Sequence, residues 1–308
     1  MQVVLIAPGR DLNSWQRALH QIDPEGGIAA WPDTGNTDGI EVAILWNHPQ
    51  GVLSSFPNLR LISSMGAGVD HILRDPLLPK DIPIMRIVDK QLSDAMSNYI
   101  IMAILNYQRN LHHHLSNQKK KIWDQKLAYK FTLNIGFLGM GLLASDAARK
   151  LDKLGFQVRG YSKSQKNILG IKNYHGASKL DPFLSGLDVL VNLLPLTEQT
   201  RGILNIELFT RLTKPALLIN AARGEQLVEQ DLVQALDQGL LSQAYLDVFQ
   251  HEPLPSEHPF WSHPKVFMTP HIAAITNPKN AVKQIARNYK RLQNHQELTH
   301  LVDFSKQY

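Results

Sequence analysis

Apolar residues in this chain come in short unbroken runs separated by polar stretches. In the first third, residues 3–7 (VVLIA), 42–46 (VAILW) and 61–64 (LISS) read as buried strands. Between them, Trp15, Ala18 and Leu19 carry a helical pattern. Residues 91–115 hold Tyr99, Ile100, Met102, Ala103 and Leu105, which predicts a long helix ending at the polar stretch 116–121. A second series begins at Asn134. Strands are predicted at 135–138, 157–161, 188–192, 216–220, 244–247 and 266–268, and helices at 142–154, 230–238 and 278–292. Strands alternating with helices form βαβ units, hence parallel sheets, and the two series predict two α/β domains joined near the long helix. There is no internal repeat and no low-complexity segment.

Composition adds limits. The 308 residues suffice for one large or two ordinary domains. Apolar residues at 44% and charged ones at 19% are globular proportions. There is no cysteine, so disulfides and thiolate metal sites are excluded. The apolar start at 3–7 is too short for a signal peptide and lacks a basic lead, and no run reaches the ~20 apolar residues of a membrane helix. The expectation is a soluble, cytoplasmic protein with no membrane partner. The net charge of +5 is dispersed apart from Lys119, Lys120 and Lys121, which lack interleaved aromatics. Nucleic-acid binding is not expected, whereas small anions are suitable ligands. His112, His113 and His114 are consecutive, so on a helix they point in different directions, and no metal site is expected.

The densest chemical signal is GMGLLA at 139–144, between a strand and a helix. It fits the dinucleotide fingerprint: Gly139 for the tight turn, Gly141 for approach of a pyrophosphate to the helix N-terminus, Ala144 for close helix–strand packing. Met140, Leu142 and Leu143 complete the loop. An NAD site normally carries an acid after the next strand. Here Tyr161 is followed by Ser162, Lys163, Ser164, Gln165 and Lys166. Hydroxyls at 162 and 164 with cations at 163 and 166 suit a 2′-phosphate, so NADP is the expected cofactor and NAD a less preferred one.

Three further segments follow predicted strands: Asn220 to Gly224 with Arg223, Asp247 to Pro255 with Glu252, and Thr269 to Ala274 with His271. Ligands bind at the C-terminal ends of open parallel sheets, so Arg223, Glu252 and His271 can meet although distant in sequence.

SMGAGVDH (64–71), GMGLLA (139–144), NLLPLTEQTRG (192–202), NAARGEQLVE (220–229), LDVFQHEPLP (246–255) and TPHIAAIT (269–276) occur in an order that resembles the D-2-hydroxyacid dehydrogenases, in their glyoxylate/hydroxypyruvate reductase branch, over nearly the whole length. The resemblance implies two doubly wound, Rossmann-like and flavodoxin-like domains with the active site in the cleft between them. Residues 1–98 with 275–308 would bind substrate, and 99–274 would bind the nucleotide. His271 would give a proton to a ketone oxygen, and Glu252 would hold its ring and favour the protonated form. Arg223 would grip the substrate carboxylate, aided by backbone N–H groups of Met65, Gly66, Ala67 and Gly68. Asp247 would contact the nicotinamide amide. Leu194, Pro195, Ala221, Ala222 and Ala273 would line the cofactor, and Thr200 would touch its phosphates. Trp46 would border the substrate pocket, with Trp261 a second apolar candidate. A homodimer through the nucleotide domain, including the segment after the long helix, is also implied.

The implied reaction is NADPH-dependent reduction of a small 2-oxo acid, glyoxylate or hydroxypyruvate, to the 2-hydroxy acid. Three other readings share features with it. One is a dinucleotide-sensing corepressor of the same fold, which would carry long disordered tails. Another is an NADH-preferring dehydrogenase for a larger acid. The third is a methyltransferase binding S-adenosylmethionine, which would want an acid where Ser162 stands. One departure is Asn98, where many relatives carry glutamate.

Overall fold

The computed structural model describes residues 1–126, 131–306 and 308. The chain divides into two compact units, Met1–Leu92 with Ile275–Tyr308, and Ser93–Ala274. The division falls at Leu92, six residues before the boundary read from sequence.

The first unit is built on β1 (Val3–Ile6), β2 (Ile28–Ala30), β3 (Val42–Leu45), β4 (Leu61–Ser64) and β5 (Ile84–Met85), with α1 (Asn13–Ile22) and α2 (Asp70–Leu73). Its sheet is parallel, in the order β2-β1-β3-β4-β5. Alternate side chains of each strand enter opposite cores. Val3, Leu5, Val42 and Ile44 face Trp15, Ala18 and Leu19 of α1, while Val4, Ile6, Ala43 and Leu45 face Leu53, Phe56 and Ile72. Burial on both faces explains the unbroken apolar runs.

The second unit holds α3 (Lys90–Gln108), from Ser93 onward, and α4 (Leu111–Lys120). The single helix expected over 91–115 is two helices. Asn110 between them has φ 52°, a left-handed conformation that ends α3 without Gly or Pro. Residues 127–130, in the segment that follows, lie outside the described residues. The unit continues with β6 (Asn134–Leu138), α5 (Leu142–Lys153), β7 (Gln157–Ser162), β8 (Lys172–His175), α6 (Leu180–Leu184), β9 (Val189–Asn192), α7 (Ile206–Thr210), β10 (Ala216–Asn220), α8 (Glu229–Asp237), β11 (Leu241–Leu246) and β12 (Val266–Met268). The sheet order is β12-β11-β10-β9-β6-β7-β8, all parallel. The chain runs outward from β6 to β8 and returns to place β9 on the other side of β6. That reversal opens a crevice at the C-terminal ends of β6 and β9, where ligands of such sheets bind.

Both faces are covered here too. Ile135, Phe137, Val189 and Val191 pack with Ile100, Ala103 and Ile104 of α3 and Ala144, Ala147 and Leu151 of α5. Leu138, Leu190 and Leu218 pack with Phe183, Phe209, Leu232 and Leu236. Each fully buried leucine, isoleucine or phenylalanine contributes roughly 1.5–3 kcal/mol, so these layers hold the strand ends in fixed register. The chain then returns to the first unit with α9 (Pro278–Gln293), whose Ala281, Val282 and Ile285 complete the core facing α1. Among the described residues no helix is long and apolar enough to cross a membrane.

Candidate active site

In the second unit β10, β11 and β12 are neighbours, and the loops leaving their C-terminal ends carry Arg223, Glu252 and His271. Gly224 permits a tight approach between two of these loops. A Cβ there would lie 1.8 Å from the Phe249 carbonyl carbon, a clash with backbone that no rotamer relieves.

His271 Nδ1 is 2.7 Å from Glu252 Oε2. Glu252 Oε1 accepts the Phe249 N–H at 3.0 Å. Burial pushes the Glu252 carboxyl up. The His271 hydrogen bond, the Phe249 N–H and the charges of His271 and Arg223 outweigh it and hold the group below its ordinary value. Glu252 is therefore an anion, and the His271 nitrogen facing it is the donor.

His271 has φ 55°, a left-handed conformation that costs a residue with a Cβ roughly 1–2 kcal/mol. Asp247 maintains it. The His271 N–H donates to the Asp247 carbonyl at 2.8 Å and to that of Thr269 at 3.0 Å. The buried Asp247 carboxylate accepts the Thr269 hydroxyl at 2.6 Å and the Ile272 N–H at 2.9 Å on Oδ1, and the Ala273 N–H at 2.8 Å on Oδ2. Burial holds its affinity for a proton above the ordinary carboxylate value, and these donors offset only part of the rise. A carboxylate has about four acceptor sites, so one remains on Oδ2 for a donor such as a nicotinamide amide.

The glycine loop follows β6. Gly139 has φ 89°, and a Cβ on it would lie 2.8 Å from the Leu193 carbonyl oxygen. Gly141 caps α5 in an extended conformation, and a Cβ on it would meet no atom within 4 Å. The loop is thus tight against the protein at Gly139 and open at Gly141, where the free N–H groups of the first helical turn favour a phosphate. Met140 and Ala144 are buried in the core, whereas Leu142 is exposed and Leu143 half-buried.

After β7, Lys163, Ser164 and Lys166 are exposed, and Lys163 Nζ lies 3.4 Å from Gln199 Oε1. Ser162 is buried. Its hydroxyl donates to the Ser164 carbonyl at 2.8 Å and accepts from Asn173 Nδ2 at 2.9 Å. Ser162 therefore shapes this turn, and the exposed groups at 163, 164 and 166 are the ones that face solvent. The Thr200 hydroxyl is likewise committed locally, donating to the Pro195 carbonyl at 2.7 Å. Leu194 and Pro195 are half-buried, and Ala221, Ala222 and Ala273 buried.

The expected carboxylate cradle of the first unit is the loop after β4. The Met65 N–H is used by the sheet, donating to the Leu45 carbonyl at 3.0 Å, and the Met65 side chain is in the core. The Gly66 N–H donates to Ser64 Oγ at 3.0 Å. Of the expected cradle, the Ala67 and Gly68 amides are the ones without a partner among the described residues. His71 Nδ1 accepts the Asn47 N–H at 3.3 Å, so its Nε2–H faces Ser64 Oγ at 3.1 Å. Trp46 lies beside this loop: its ring is 4.8 Å from that of His71, and Arg10 Cζ is 4.0 Å from its centroid. Trp261 is exposed, its indole N–H donating to the Pro255 carbonyl at 2.8 Å.

In the histidine run, His112 stacks on Phe267 with centroids 3.3 Å apart, and His113 Nε2 lies 2.8 Å from Asn117 Nδ2 and 3.5 Å from Asp124 Oδ2.

The family model described as D-isomer specific 2-hydroxyacid dehydrogenase, NAD binding domain, matches residues 101–273. The chain belongs to that family. It is 40% identical over 316 aligned positions to glyoxylate/hydroxypyruvate reductase A of Yersinia enterocolitica, with 100% of both chains covered. It superposes with a TM-score of 0.94 on an NADPH-dependent glyoxylate/hydroxypyruvate reductase of Sinorhizobium meliloti crystallised with NADP and sulfate. That pair is 36% identical, with 100% of this chain and 99% of the other covered. The TM-score is also 0.94 to a family member from Xanthobacter autotrophicus in complex with NADPH and MES, 33% identical over the same shares of the two chains.

Several residues around these loops were not singled out as site residues in the sequence. Asn192, Asn220 and Gln226 are buried beneath the loops, and Tyr99 OH lies 2.8 Å from Thr269 Oγ1. A signal was present for two of them: β9 and β10 each run apolar and then end on asparagine, a residue that a strand interior disfavours.

Proposed function

We propose that this enzyme reduces small 2-oxo acids, glyoxylate and hydroxypyruvate among them, to 2-hydroxy acids with NADPH. The observation that carries the reading is the His271–Glu252 pair at 2.7 Å, with the charge of Arg223 beside it, on adjacent loops of a nucleotide-binding sheet. The pocket chemistry fits NADP: open space at Gly141 on a helix N-terminus, cations at 163 and 166 without an acid, and a remaining acceptor site on Asp247. When bound, the reduced nicotinamide supplies the hydride.

The protein's residues do the rest. The planar Arg223 guanidinium matches a carboxylate with two parallel donors and orients the keto group. His271, protonated, donates its Nε2 proton to the keto oxygen as that oxygen gains charge. Glu252 accepts the hydrogen bond from Nδ1–H throughout, fixing the ring's orientation and setting a negative charge against the imidazolium before transfer. The product is the 2-hydroxy acid, and His271 is left neutral to be reprotonated from solvent.

We also place the enzyme in the cytoplasm as a homodimer. Supporting the dimer, Met102, Leu105, Leu111 and Leu115 on α3 and α4 and Ile122, Trp123 and Phe131 beyond them are exposed large apolar side chains, close together in sequence.

The test is to follow the reduced-nicotinamide absorbance with NADPH or NADH and a panel of 2-oxo acids. Glyoxylate or hydroxypyruvate should be turned over with NADPH preferred by kcat/KM. No turnover of any panel member, or a preference for NADH, would contradict the reading.

A further inference from the structure

Three fully buried carboxamides lie beneath the loops that carry Leu194, Pro195, Ala222 and Arg223. Asn192 ends β9, Asn220 ends β10, and Gln226 follows Arg223. Their partners fix which terminal atom is oxygen and which is nitrogen. Gln226 Oε1 accepts the Arg223 N–H at 3.2 Å and Asn192 Nδ2 at 2.8 Å. Gln226 Nε2 donates to the Leu194 carbonyl at 3.2 Å and the Pro195 carbonyl at 3.1 Å. All of its hydrogen-bonding positions are filled. Asn192 Nδ2 also donates to Asn220 Oδ1 at 3.0 Å, and Asn192 Oδ1 accepts the Leu194 N–H at 3.3 Å. Asn220 Oδ1 accepts the Ala222 N–H at 3.3 Å, and its Nδ2 donates to the Arg223 carbonyl at 3.1 Å.

We propose that Gln226 is a positioning residue that ties the Leu194–Pro195 loop to the root of Arg223, so that one side chain sets both nucleotide affinity and the grip on the substrate carboxylate. Its two ends act on different loops. The oxygen end holds the main chain from which the Arg223 guanidinium projects. The nitrogen end holds the carbonyls of the loop after β9, at the crevice opened by the strand reversal. Side chain and network are out of water, so a group left unpaired there has no solvent to turn to, and the main chain must shift instead. The inference rests on the reading of Arg223 as the carboxylate clamp and of Leu194 and Pro195 as nucleotide-lining.

The two ends can be separated chemically. Gln226→Glu keeps the acceptor toward Arg223 N–H and loses the donors toward Leu194 and Pro195. Asn220→Asp keeps the acceptor toward Ala222 N–H and loses the donor to the Arg223 carbonyl. NADPH dissociation constants are read by fluorescence titration without substrate, the KM for glyoxylate by steady-state kinetics, and folding by thermal melting. Gln226→Glu should raise the NADPH dissociation constant about tenfold and move KM less than about threefold. Asn220→Asp should do the reverse. Gln226→Met, which loses both ends, should raise both constants about tenfold. If the two charged variants move both constants alike, or neither, while melting temperature alone falls, the residues are packing elements and the proposal is overturned. Should Gln226→Met fail to fold, the opposed effects of the other two variants still decide. Arg223→Ala separates the underlying reading: an unchanged KM in that variant overturns the clamp assignment whatever Gln226 does.

Discussion

The Thr269 hydroxyl donates to Asp247 Oδ1 at 2.6 Å, and this bond sets the direction of the next one. Thr269 has a single proton, so the Tyr99 O–H, 2.8 Å away, must be the donor to Thr269. Burial pushes the Tyr99 hydroxyl far above its ordinary value, so it stays a donor at any working pH. The chain Tyr99 to Thr269 to Asp247 ends on the turn that holds His271 left-handed. Thr269→Val breaks the chain without touching a ligand. It should lower kcat about tenfold with KM nearly unchanged, and Thr269→Ser should restore most of it, in steady-state assays.

His271→Ala and Arg223→Ala should each lower kcat/KM by about 10²- to 10⁴-fold with unchanged circular dichroism. Arg223→Lys should recover only part of the loss, because a point charge lacks the paired donors of the guanidinium. Near-normal activity in either alanine variant would remove that residue from the mechanism.

The two glycines of the loop after β6 should behave oppositely. Gly139→Ala forces a Cβ against the Leu193 carbonyl at φ 89°, so it should lower thermal stability, with or without ligand. Gly141→Val places its side chain where the protein has no atom within 4 Å of the Cβ. It should leave the apo melting temperature nearly unchanged and weaken NADPH binding tenfold or more, by about 1.4 kcal/mol or more. Equal affinity in a Gly141→Val titration would show that no phosphate approaches there.

Lys163 is the exposed cation immediately after Ser162. Lys163→Glu should raise KM for NADPH about tenfold while changing KM for NADH less than about twofold, since only the former carries the extra phosphate. The gap should narrow at high salt.

Acid should weaken the first unit through His48. Burial pushes this imidazole below its ordinary value, although Asp75, with Oδ2 3.1 Å from Nε2, pulls the other way. Its Nδ1 has no partner among the described residues. The unfolded chain takes a proton near pH ~6.5 while the folded ring resists it, so the stabilisation is complete above that pH and is lost as pH falls below it. Burial of Asp75 opposes its ionisation, but the Gly51 and Leu77 N–H groups and His48 more than compensate, so its own contribution is lost only below pH ~3.9. Melting temperature should therefore fall between about pH 7.5 and 5.5, and fall less in His48→Asn. Burial lowers His112 and His300 too, so the slope should shrink rather than vanish.

The central strands were legible because burial on both faces makes them plainly apolar, as in VVLI of β1 or ALLIN of β10. The edges were not. β8 reads KNYH, and it is a strand because β7 offers it hydrogen bonds, not because its side chains demand one. Its Asn173 is also what engages the Ser162 hydroxyl, a pairing invisible until the two strands are set side by side. Arg223, Glu252 and His271 were readable as chemistry on loops after strands. Gln226 was not, because its role is defined wholly by main-chain atoms of other loops.

The first unit draws its core from both ends of the chain: the face formed by Val3, Leu5 and Val42 is closed by Ala281, Val282 and Ile285 of α9. During synthesis from the N-terminus, that face emerges early and its lid last, after every residue of the nucleotide-binding unit has left the ribosome. The later-made half can therefore finish folding first, while the earlier-made half waits with an oily surface uncovered, the interval in which a chaperone has most to do.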